Sequence, residues 1–159
     1  MAPDFKLPTN IVAVEASVTE AARAILSIAR ATLSEQGIHF PTAILHTLEG
    51  LFPILVPFKT DEQKRGLVDY VKTQALERHA YAVSMVTCAH IVDSRTGKEK
   101  EAVVVGTTVQ GGQPYIVLQY FSRDGNGVVT AFEEVLDGDD AAMPGQMLIY
   151  PDWDEEVRH

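Results

Sequence analysis

One cysteine, Cys88, and one tryptophan, Trp153, occur in 159 residues. A lone thiol excludes an internal disulfide, so neither stability nor location needs an oxidising compartment. A chain of this length buries roughly 70% of the surface its unfolded form exposes, enough for a core without staples. Long apolar runs are missing too. The longest, Leu51–Phe58, has eight residues with Pro53 and Pro57 inside it, far short of the roughly 20 that cross a bilayer. Met1–Lys6 lacks the charged and apolar regions of a secretory signal, and the expected location is cytoplasmic, with no membrane partner. Positive charge is scarce: 13 Lys and Arg stand against 22 Asp and Glu, a net charge of −9. Residues 1–132 account for −1 and residues 133–159 for −8. No cationic stripe exists to neutralise phosphates, which excludes nucleic acid as a partner. The acidic end reads as a solvated loop and terminus. There is no Gly-x-Ser-x-Gly elbow, no Gly-x-x-x-x-Gly-Lys loop, no His-Glu-x-x-His and no Cys-x-x-Cys.

What is present is a globular composition, 46% hydrophobic and 22% charged, expected to form one domain over 1–159. Residues 1–16 read as an N-terminal arm and 137–159 as an acidic loop and tail. Ser17-Val18-Thr19-Glu20 has the form of a capping box, after which Val18, Ala22, Ile25, Leu26, Ala29 and Leu33 fall on one helical stripe. Ile28 lies beside that stripe, and Gly37 is placed to end the helix. His39–Leu48 and Leu51–Phe58 read as a hairpin. Prolines four apart remove two donors from one side of a strand, so the second strand is expected at the rim of its sheet. Thr60-Asp61-Glu62-Gln63 opens a second helix, expected to run to about His79 with Leu67, Val68, Val71 and Ala75 inward. From Tyr81 the period becomes two, and Tyr81–Val92, Glu101–Gln110, Gln113–Ser122 and Val128–Leu136 read as a four-stranded meander. A short last strand is expected over Gln146–Tyr150.

This order predicts an α+β fold: two helices packed on one face of a single, mostly antiparallel sheet, in the order helix, strand, strand, helix, meander. Val83, Met85, Val103 and Val105 are expected to meet the helices. The mixed set of Ser84, Val86, Cys88 and His90 with Ala102, Val104 and Gly106 is expected on the reverse, as a half-covered contact face.

Chemistry is sparse. Cys88 and His90 are two apart on a strand, so they share a face at about 7 Å and form a candidate ligand-binding pair. Zinc needs three or four ligands, and no further His or Cys is spaced to complete a site; no metal and no cofactor is assigned. His46, on a face with Ile44 and Leu48, reads as a satisfied histidine at the core margin. Glu133-Glu134 and Asp139-Asp140 make no acid/base dyad, because adjacent strand residues diverge and the second pair sits in a loop. Asp124-Gly125-Asn126-Gly127 reads as a hairpin turn rather than a calcium loop.

The layout of helix, two strands, helix and meander, with the second strand at a rim, is similar to that of roadblock-type and profilin-like modules, which implies a binding and dimerisation scaffold. Gly37–Leu45, Tyr81–Val92 and Lys100–Val105 resemble segments of small bacterial and phage proteins, a resemblance that implies no activity. Three readings follow: a non-catalytic module that associates with itself or with a protein partner, a small-ligand or metal-binding domain centred on Cys88 and His90, and an enzyme with a scattered site.

Overall fold

The computed structural model describes residues 11–39, 41–137 and 148–153. Seven alanines among residues 11–36 favour helix throughout, and the stretch forms α1 (Ile11–Gln36). The helix thus begins well before Ser17. The capping-box pattern there is internal, because a serine does not interrupt a segment whose neighbours on both sides are helix formers. At the other end the expectation holds: Gly37 takes φ +76°, and its N–H donates to Leu33 O at 2.8 Å, a left-handed stop.

The hairpin is β1 (Thr42–Thr47) and β2 (Gly50–Leu55), shorter at its outer ends than the sequence predicts. Thr47 Oγ1 donates to Gly50 O and accepts from Glu49 N–H, which tightens the turn. α2 (Asp61–Glu77) starts as its sequence directs: Thr60 is the N-cap, its hydroxyl accepting from Gln63 N–H, while Gln63 Oε1 accepts from Lys59 N–H. Then come β3 (Ala82–Val92), β4 (Glu99–Val109), β5 (Tyr115–Arg123) and β6 (Val129–Asp137). All six strands make one antiparallel sheet in the order β2-β1-β3-β4-β5-β6. The proline-bearing β2 is at the rim, where a missing donor is tolerated. The last strand is not formed at Leu148–Tyr150, and Gln146 and Met147 lie outside the described residues.

The placement of both helices on one face is overturned by register. Met85 stands opposite Gly106 and Val86 opposite Val105, so the odd residues of β3 share a face with the even residues of β4. Val83 and Met85 are therefore on one side of the sheet, Val103 and Val105 on the other. Ala22, Ile25, Leu26, Ala29 and Leu33 of α1 pack with Val86, Val103, Val105, Val117 and Phe121. Val71 and Ala75 of α2 cluster with Ala43, Leu45, Val83, Met85, Ile149 and Trp153. One helix lies on each face. The second face is covered in part by the chain itself, since Trp153 Nε1 donates to Ala80 O at 2.9 Å and Thr108 Oγ1 donates to Ile149 O. Every residue from Ala102 to Val109 is buried, as a strand sandwiched between two covered faces requires.

Candidate functional site

The sheet places Cys88 and His90 on the α1 face, but in different surroundings. Cys88 is half-buried against the α1 core, and burial, followed by the nearby Glu101, pushes its thiol up to about 11. A thiol so held is protonated at neutral pH and is a weak nucleophile and metal ligand. His90 is exposed at the strand end, with Nδ1 3.9 Å from the Glu99 carboxylate. Among the described residues no group of three or more His, Cys, Asp or Glu is gathered as a metal site would need. Glu133 and Glu134 do not diverge cleanly: Glu133 pairs with Lys100 at 3.0 Å and approaches Arg95 at 3.9 Å, and Glu134 pairs with Arg95 at 3.3 Å, where the register shift in the β5–β6 pairing breaks strict alternation. Asp139 and Asp140 lie outside the described residues. Asp124 Oδ1 accepts from the amides of Asn126 and Val128, which makes that segment a hairpin turn.

Two polar clusters were not legible from spacing. His46 is wholly buried rather than marginal. Its Nε2 is 2.6 Å from Ser84 Oγ, which is 2.6 Å from Thr107 Oγ1, while Nδ1 has no hydrogen-bond partner. Desolvation lowers the imidazole to about 4, so the ring is neutral at physiological pH. The arrangement has the atoms of a base and a nucleophile, yet Ser84 and Thr107 are as buried as the ring and no substrate reaches the hydroxyl. Ser84 standing opposite Thr107 across β3 and β4 is the signal that would have revealed it, and that needs the register. The second cluster closes the β3–β4 turn. Asp93, its side chain 2% exposed, accepts from Arg95 Nε at 3.1 Å and from Lys100 Nζ at 3.0 Å. Arg95 first, with Lys100, holds its carboxyl well below the usual carboxylate range. Every charge there has a partner, and the cluster reads as a clasp.

An apolar recess with room for another molecule lies between α1 and the hairpin. The two flanks of α1 differ. Arg23 pairs with Asp137 of β6 and Arg30 sits 4.7 Å from the Phe132 ring centre, so the charged flank leans over β6. The other flank carries Ala21, Ala24, Ile28, Ala31 and Thr32, without a charge between Glu20 and Glu35. Beneath it, among the described residues, Leu51 and Leu55 of the sheet face stay exposed. A cavity of about 320 Å³ opens there, walled by Ile25, Ile28 and Ala29 of α1, Thr42 and Ile44 of β1, Leu51 and Pro53 of β2, with His39 and Val86. Among the described residues no Asp, Glu, Lys or Arg lines it. Ile28 is 65% exposed and Leu55, on the same strand face as Leu51 and Pro53, is 66% exposed. A second depression, about 420 Å³ beside the hairpin turn, is lined by Glu49, Glu77, Arg78 and His79 among others. There the Arg78 guanidinium is already stacked 3.7 Å from the Phe52 ring centre.

A contiguous apolar surface with aliphatic side chains standing proud of a concavity is what a docking face needs, and surface helices of lone molecules ordinarily carry polar residues there. Only Ile28 gave a hint of it in the sequence. No protein-family model, curated protein or solved structure matches the chain.

Proposed function

We propose that this protein is a non-catalytic interaction module, and that it docks through the apolar face made by the uncharged flank of α1 and the exposed side of the β1–β2 hairpin. The observation that carries the reading is the 65% and 66% exposure of Ile28 and Leu55 beside a cavity whose described lining holds no Asp, Glu, Lys or Arg. Leaving two thirds of such side chains in water forgoes roughly 1–2 kcal/mol each, which an occupant recovers. The buried hydroxyl chain at His46, the raised Cys88 thiol and the fully paired Asp93 cluster support a scaffold rather than a reaction centre. The lone thiol suits a reducing, cytoplasmic setting.

Anilinonaphthalene sulfonate, a dye that fluoresces on apolar surfaces, tests the reading. At about 1 µM protein, where a complex with a Kd of tens of micromolar is dissociated, the folded chain is expected to enhance its emission. Ile28→Glu is expected to abolish most of that enhancement. No enhancement with the parent, or equal enhancement by both proteins, refutes the docking face.

A further inference from the structure

We infer that the occupant of this face is a second copy of the chain, paired about a two-fold axis so that Ile28 and Leu55 of each copy enter the cavity of the other; this rests on the reading of the face as a docking surface. A two-fold interface uses one patch twice, so that patch must supply both projection and recess. Here it does. Ile28 and Leu55 project at 65% and 66% exposure, and the 320 Å³ recess lies between α1 and the strand that carries Leu55. Ala24 and Ala31, the helical neighbours of Ile28, are exposed and end at Cβ, which lets another backbone come close.

Charge points the same way. Two chains of net charge −9 repel, and they meet most easily where charge is least. Between Glu20 and Glu35 the Ile28 flank of α1 carries no charge, and the acids of β6, Glu133, Glu134 and Asp137, are at the opposite edge of the sheet from β2 and held by Lys100, Arg95 and Arg23, five strand intervals or about 24 Å away. Sheet extension is the poorer alternative, because Pro53, opposite Ile44 in the middle of β2, has no donor for a neighbouring strand. Area is adequate. Stable pairs bury about 800 Å² per partner, roughly 60% of it apolar, and the exposed parts of Ile28, Ile38, Leu51 and Leu55 with Ala24 and Ala31 supply an apolar centre on the order of that fraction.

Sedimentation velocity of the full chain from about 1 to about 200 µM is the test. A monomer–dimer equilibrium is expected, with Ile28→Glu and Leu55→Glu each weakening it roughly thirtyfold or more. Val128→Glu, which adds the same charge at an exposed position before β6, is expected to leave it unchanged. Both projecting residues are solvent-facing, and circular dichroism melts are expected to show unaltered folding. A monomer at every concentration, or a dimer indifferent to both substitutions, overturns the inference. If the monomer still enhances the dye in an Ile28-dependent way, the docking face stands with a different occupant; a monomer that enhances nothing removes both.

Discussion

Protonating His46 means placing a cation where water does not reach it. The unfolded chain takes up that proton near 6.5 and the folded chain only at about 4, so between these values the unfolded state holds more protons. Stability is therefore full above pH 6.5 and falls as pH drops towards 4, by about 3 kcal/mol across the window. Urea melts at pH 7 and pH 4.5 are expected to show most of this loss, and His46→Gln to abolish the slope; a pH-independent midpoint over that range contradicts it. Asp93 acts in a lower window. Its folded carboxyl is depressed below its ordinary value of 3.8, so its contribution disappears only as pH falls below that. The polar chain was hidden in the sequence because His46, Ser84 and Thr107 are far apart along it, and only the pairing of β1, β3 and β4 brings their side chains together on one face.

Elements were far more legible than their mutual placement. Hydrophobic period, Gly37, the Thr60–Gln63 box and the Asp124–Gly127 turn located both helices and all six strands, and Pro53 with Pro57 set β2 at the rim. Faces were not legible. Ala102–Val105 is apolar at every position, so alternation cannot choose a side. Such a run belongs to a strand covered on both faces: Val103 and Val105 pack under α1, and Ala102 and Val104 pack on the other side with Leu118, Tyr120 and Leu136. Trp153 tests that arrangement at element scale. It is 8% exposed and packs in the α2 cluster, so Trp153→Ala is expected to lower unfolding free energy by about 3–5 kcal/mol in chemical denaturation. A loss below about 1 kcal/mol would mean that the C-terminal segment does not seal the second face.

At the scale of the whole molecule, the sheet has more face than its helices cover. α1 lies over β3–β5 and ties its charged flank to β6 through Arg23 and Arg30, which draws it away from the hairpin and, among the described residues, leaves Leu51 and Leu55 of β2 exposed on that side. The lopsided placement of one helix thus creates both the recess and the apolar flank that borders it. Sequence showed only a fragment of this, since Ile28 looks like a stray apolar residue until β2 is known to run alongside. Isoleucine methyl groups report on both faces in one spectrum. On dilution of a methyl-labelled sample from about 200 to about 1 µM, the resonances of Ile28 and Ile44 are expected to move, while those of Ile91, Ile116 and Ile149, on the opposite face, stay in place. Movement of Ile91 and Ile116 with Ile28 and Ile44 unmoved would contradict the account.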